Sequence, residues 1–185
     1  MKRGWMIVGI VALIVVGLGI GAYNGLVQRR ESMRQSWAQV ETVLQRRYDL
    51  IPNLVSTVKG YATHEREVLE DVTRLRSQWG EAKTVDEKVA AASQLEGVLG
   101  RLMVVLERYP DLKANQNFLA LQDELAGTEN RIAVERRRYN EAVQYYNVAV
   151  RGFPSNLVAT LTGFAPSDAY FKAAAGAEQA PKVAF

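Results

Sequence analysis

Apolar residues recur along most of this chain at alternating steps of three and four. From Trp37 the series runs through Val40, Leu44, Arg47, Ile51, Leu54, Val58, Tyr61, Glu65, Val68, Val72 and Leu75 to Trp79, and only Arg47 and Glu65 in it are charged. A 3.5-residue repeat held this long predicts a helix whose seam stays against a partner helix. At 1.5 Å per residue such a rod measures roughly 65 Å. Pro52 lies inside it, removes a backbone donor and crowds the turn behind, so a kink is expected near residues 48–51. The phase crosses Pro52 without a shift, which favours one bent helix; a break at this point is the alternative.

Two further seams follow. Thr84 to Glu87 has the form of a capping box, and behind it Ala92, Leu95, Leu99, Leu102, Leu106 and Tyr109 describe a second helix that Pro110 ends. Phe118, Leu121, Leu125, Thr128, Ile132, Glu135, Tyr139, Ala142, Tyr146, Ala149 and Phe153 describe a third, of some 35 residues by the same spacing, ended by Pro154. Gly80 reads as the stop of the first rod, and Asn156 to Leu161 as a short helix capped by Ser155. Gly60 costs its helix about 1 kcal/mol relative to alanine, for which a close neighbouring backbone is one reason and local flexibility another.

Ahead of these seams, Gly4 to Gln28 carries no charge, with Lys2 and Arg3 before it and Arg29 and Arg30 after. The run is long enough to cross a bilayer, and Trp5 and Tyr23 sit where interfacial aromatics belong. A cleaved signal peptide competes, because Gly19, Gly21 and Ala22 are small residues near a conceivable cut. The run exceeds the roughly 7 to 15 apolar residues of a signal core, which favours a retained anchor. Gly17, Gly21 and Gly25 recur every four residues and would leave a flat groove for close packing of membrane helices, although glycine is frequent in such helices anyway. Arg29, Arg30, Arg34, Arg46 and Arg47 beyond the anchor lean toward a cytoplasmic body.

The pattern therefore predicts an all-α protein: an N-terminal transmembrane helix (residues 1–28), an elongated antiparallel bundle of three long helices plus a short C-terminal helix (29–165), and a disordered tail (166–185). Of the formal charge of +3, Lys2 and Arg3 account for two, so the pI of 9.2 is no footprint of nucleic acid. The run Arg136, Arg137, Arg138 does not alter this, because successive helical residues splay around the axis. With no cysteine, thiolate chemistry and Cys-based metal sites are excluded. His64 is the only histidine and lacks the Glu-x-x-His partner a di-iron bundle needs. Beside Glu65 and Glu67 it suits a surface ion pair better than acid–base catalysis. No cofactor or metal is expected.

Charges at Arg47 and Glu65 are costly in a seam unless paired, and the third helix offers Glu135 and Arg131 as partners. Asn53, Asn130, Asn140 and Asn147 read as hydrogen-bonding groups between helices.

The stretches WAQVETVLQRRYDLIPNLVSTVKGYATHE (37–65) and FLALQDELAGTENRIAVERRRYNEAVQYYN (118–147) resemble the two signature blocks of the LemA family of bacterial membrane-anchored helical proteins. The likeness extends from the anchor through FPSN to Gly163 and Phe164. Its carriers are Arg46, Arg47, Asp49, Pro52, Asn53, Lys59, Gly60, Tyr61, His64 and Glu65 in the first block, and Glu129, Asn130, Arg131, Tyr139, Asn140 and Asn147 in the second. Tyr48 departs from the pattern, standing where the family usually has alanine. The resemblance implies a single-pass protein of the bacterial inner membrane with no established enzymatic activity, some relatives being linked to building or shaping internal membranes. The expected function is a scaffold that self-assembles or organises the membrane; the alternative is an adaptor docking another membrane protein. Expected partners are the lipid bilayer, further copies of this chain and, for the adaptor, that second protein.

Overall fold

Helix α1 (Lys2–Lys59) begins in the uncharged run and continues without interruption through Arg29, Arg30 and Pro52. In the computed structural model, which describes residues 2–62 and 64–172, it is followed by α2 (Arg66–Glu81), α3 (Val85–Leu106), α4 (Pro110–Lys113), α5 (Gln116–Arg151) and α6 (Ser155–Thr162). No strand occurs among the described residues, and the fold is all-α. The chain forms two compact units, residues 2–39 with 137–168 and residues 40–136 with 169–172, and α1 and α5 run through both.

In the second unit the end of α1, α2, α3 and the start of α5 pack as a helical bundle. Val40, Leu44, Arg47, Ile51, Leu54 and Val58 are all buried, as the first seam requires. The rod does not continue to Trp79, however. It stops at Lys59, and α2 folds back along it, so that Tyr48 stacks on Trp79 with centroids 4.2 Å apart and planes 16° from parallel. Gly60, a poor helix former, starts the turn. A side chain there would meet only Thr57 O, at an ordinary 3.6 Å, so helix termination and not a close neighbour accounts for this glycine. Beyond the turn the buried face moves by one position, from Val68 to Leu69, before Val72, Leu75 and Trp79 resume it. Gly80 lies inside the last turn of α2, whose cap is Ala82.

α2 packs on α3, whose start is fixed by the capping box: Glu87 N donates to Thr84 Oγ1, and the Glu87 carboxylate accepts from the backbone amides of Thr84 (3.0 Å) and Lys83 (2.8 Å). Those two amides, Lys83 first, hold the Glu87 carboxyl below its ordinary value. α5 then runs antiparallel to α1, burying Phe118, Leu125, Thr128 and Ile132.

In the first unit α5 continues antiparallel to α1, and Leu26, Tyr146, Val150, Ala159 and Phe164 form one apolar cluster. Tyr139, Tyr146 and Val143 are buried, whereas Phe153, expected to close the third seam, lies past the helix end and is 83% exposed. A side chain at Gly152 would come within 2.9 Å of Val148 O, so this turn requires glycine. Ser155 does not cap α6; its hydroxyl donates to the carbonyls of Ala149 and Gly152 at the end of α5. Gly163, at φ 77°, ends α6 in the left-handed conformation. Disorder was expected from residue 166, yet Ala169 and Phe171 are buried; residues 173–185 of that expected tail lie outside the described ones.

Candidate functional site

The residues of the first motif block lie along the end of α1 and in the turn that follows it. Lacking an N–H, Pro52 leaves the carbonyl of Tyr48, one turn earlier, without its helical donor. Arg76 of α2 supplies the missing hydrogen bond, Nε to Tyr48 O at 3.2 Å. One helix thus passes through a proline because its neighbour satisfies the group that the proline orphans. The Tyr48 side chain, read only as a departure from the family pattern, fills the space between α1 and α2 against Trp79. Its hydroxyl is buried without a hydrogen-bond partner, and burial raises its pKa against the opposing pull of Arg47 and Arg136.

Arg47 is buried in the seam and pairs with Glu129 of α5, while Arg46 beside it pairs with Glu124 on the outer edge. Glu135, the carboxylate expected for Arg47, is replaced by Glu129 because α5 meets α1 nearly two turns earlier in its own sequence. Of the three successive arginines, Arg136 turns inward, pairing with Glu96 of α3 and lying 4.8 Å over the Phe171 ring. Lys88 of α3 likewise bridges to Glu41 and covers the Trp79 ring at 5.2 Å. Four ion pairs therefore tie α1, α3 and α5 together, and no periodicity announced three of them.

The turn after Lys59 is held from the connection between α3 and α4 and from the segment preceding α5. Glu65 accepts from Arg108 Nη2 (3.0 Å) and from the Tyr109 hydroxyl (2.9 Å), not from the third helix as expected. That hydrogen bond from Tyr109 to the carboxylate raises the phenol's pKa. Asn115 Nδ2 donates to the Tyr61 hydroxyl at 2.9 Å, and Tyr61 remains 41% exposed. His64 is exposed in the same turn. An open groove beside it is lined by Lys59, Ala62, Arg66, Leu69, Glu70 and Thr73. No group of three potential metal ligands occurs among the described residues.

The remaining candidates divide. Asp49 is exposed and accepts from Gln45 Nε2, and Asn53, also exposed, offers its carbonyl to Ser56 and Thr57 instead of a side chain to another helix. Asn130 and Arg131 are exposed on α5, and Asn140 is half-buried. Tyr139 is buried with its ring edge-on to Trp37 at 5.4 Å. Asn147 bonds backbone outside the helices. Its amide donates to Ser167 O (2.7 Å) and its carbonyl accepts from Ser167 N (2.8 Å), clamping the extended segment after Gly163 onto α5.

Two described helices, α1 and α3, are long and apolar enough to cross a membrane. The apolar side of α3 is turned inward in the bundle, whereas none of the apolar window of α1 is buried. Length, composition and exposure of the start of α1 mark a membrane protein. Nothing lies within 4 Å of where side chains at Gly17, Gly21 and Gly25 would stand.

A family model described as the LemA family matches residues 36–185. The magnetosome protein MamQ 2 of Paramagnetospirillum magneticum is 27% identical over 180 residues, covering 83% of this chain and 66% of that protein. MamQ of Magnetospirillum gryphiswaldense is 26% identical with the same coverage, and protein LemA of Metamycoplasma hominis is 28% identical over 142 residues, covering 76% of this chain and 64% of that one. The chain thus spans just under two thirds of the length of these relatives. Neither the family description nor these names assigns a reaction.

Proposed function

The chain belongs to the LemA family, and from that premise we propose that it is a non-catalytic, membrane-anchored helical scaffold that assembles with further copies of itself and organises the bilayer. Residues 4–28 cross the bacterial inner membrane, with the body on the cytoplasmic side. The observation that carries this reading is the form of α1: an exposed, uncharged helical start that continues, with no glycine- or proline-rich linker after Gln28, into the packed part of the protein. An uninterrupted helix passes on the orientation of its neighbour-facing side, so contacts between anchors and contacts between bodies reinforce one another through effective concentration. The open face at Gly17, Gly21 and Gly25 suits close approach of a second anchor. Relatives named as magnetosome proteins and LemA support a membrane-associated role.

Light scattering of the full-length protein in detergent tests the proposal. A defined oligomer is expected, and Gly21→Leu is expected to shift it to smaller species with helical content unchanged. A monomer in both cases overturns self-assembly and favours the adaptor, for which the groove along Lys59, Ala62 and Arg66 is the docking surface.

A further inference from the structure

α6 is apolar on two opposite faces. Its inner face, Val158 and Ala159, packs into the cluster with Leu26, Tyr146 and Phe164. Leu157 and Leu161 each stand two positions from Ala159, which at 100° per residue places both about 160° away from it. They are 57% and 85% exposed, and Phe153, just before the helix, is 83% exposed. Three large apolar side chains left in the open within nine residues are not a property of an ordinary water-facing surface.

What covers them follows from where α6 is held. The uncharged run of α1 has 25 residues, about 37 Å of helix against a hydrocarbon thickness of about 30 Å, so its last five residues or so lie in the interface. Those are the residues on which α6 docks: Leu26 is in its cluster, and Tyr23, at the hydrocarbon edge, meets Phe164 edge-on at 5.8 Å. Arg30 lies 4.4 Å over the same Phe164 ring and Arg29 donates to Tyr145 O at the end of α5, while Glu31 and Asp168 nearby are paired with Arg34 and Arg151, so Arg29 and Arg30 leave the charge here positive. Apolar side chains beside a cationic belt at the mouth of a membrane helix match the headgroup boundary of an anionic bilayer.

We infer that Phe153, Leu157 and Leu161 insert into the headgroup–acyl boundary of the same bilayer that α1 crosses, giving the chain a second membrane contact made by its C-terminal region. The inference rests on the reading of residues 4–28 as a membrane span.

The absence of cysteine allows single labels. Leu13→Cys, Leu157→Cys, Leu161→Cys and Gln35→Cys are placed singly in the full-length protein, labelled with bimane and reconstituted in nanodiscs of phosphatidylglycerol and phosphatidylcholine. All four positions are exposed, so the helical circular dichroism is expected to stay unchanged. Quenching by acyl-chain spin-labelled lipid is compared with quenching by aqueous iodide. Labels at 157 and 161 are expected to be quenched severalfold more by the lipid than the label at 35, and severalfold less by iodide. Iodide quenching at 157 and 161 equal to that at 35, with the label at 13 still quenched by lipid, overturns the inference and leaves the anchor standing. Protection of 157 and 161 from both quenchers also overturns it, in favour of a protein cover. Iodide access at 13 overturns the membrane span itself and this inference with it.

Discussion

Around Arg47, α1 and α5 are joined by ion pairs; around Leu26 the same two helices meet through an apolar cluster, and the arginines there, Arg29 and Arg30, reach a backbone carbonyl, Tyr145 O, and the Phe164 ring instead of a carboxylate on α5. In the first region a guanidinium is buried among Leu44, Ile51 and Leu54 and finds one carboxylate, Glu129, that suits its position along α5. In the second, Leu26, Tyr146, Val150, Ala159 and Phe164 carry no charge, and the polar groups there bond to backbone: Tyr146 Oη to Ala165 O at 2.8 Å, Asn147 to both sides of Ser167. A smooth apolar seam permits sliding by a heptad, and a buried ion pair penalises every register but one. Where a non-helical segment crosses the helices, its free backbone groups do that work instead.

Two buried tyrosines break the comparison most sharply. Tyr48→Ala is expected to cost about 3 to 5 kcal/mol through the cavity left against Trp79, measured by denaturant titration of the helical signal in detergent. Tyr48→Phe removes a hydroxyl that has no partner and is expected to be neutral or stabilising by up to about 1 kcal/mol. Tyr146→Phe removes one that is bonded and is expected to cost about 1 kcal/mol. Equal effects of the two Phe substitutions would erase the distinction between the regions.

Next in size, Arg47→Ala is expected to cost roughly 2 to 4 kcal/mol, below the full cost of breaking a wholly buried pair because the Glu129 side chain is 39% exposed and can rehydrate. Replacing both, Arg47→Leu with Glu129→Leu, is expected to restore most of that stability while broadening the distribution of helix registers seen by cysteine cross-linking. A unique register in the double variant would show that the apolar seam suffices.

Arg76→Met is expected to cost about 1 kcal/mol by exposing the debt left at Tyr48 O. In the Pro52→Ala background, where residue 52 regains a donor, the same substitution is expected to cost close to nothing. A thermal-melt cycle of the four proteins checks this coupling, and additive effects would dissociate Arg76 from the proline.

The smallest effect concerns pH. The Glu87 carboxyl is held below its ordinary value in the folded chain by the Lys83 and Thr84 amides. Its stabilisation is therefore fully present above the unfolded-state pKa and is lost as pH falls through the lower, folded value. Glu87→Gln is expected to flatten the acid side of the melting-temperature profile slightly and to leave the slope above neutral pH untouched.

Burial along Val40, Leu44, Ile51, Leu54 and Val58 was legible because each step of three or four is a step along one face. The reversal at residues 60–65 was not, since Tyr61 and Glu65 stay in phase with the seam and a periodicity reports faces, not chain direction. That Arg47 needs a partner was legible; that the partner is Glu129 depended on a register set by both helices. Asn147 had no readable partner because its partner is backbone, which is the same in every sequence. Phe153 kept the spacing of the third seam one turn too far, past the glycine at which α5 ends.

The fold-back after Lys59 has a consequence in time. Trp79 follows Tyr48 by 31 residues, whereas Glu129 follows Arg47 by 82. At about 5 to 20 residues per second of synthesis, Trp79 is made roughly 2 to 6 s after Tyr48, and Glu129 roughly 4 to 16 s after Arg47. For the longer interval the α1 seam has no α5 to bury it, and the newly made α2, turning straight back, shields the Tyr48 stretch within less than half of that wait. A rod continuing straight to Trp79 would have left the whole seam open to other nascent chains until the last long helix left the ribosome.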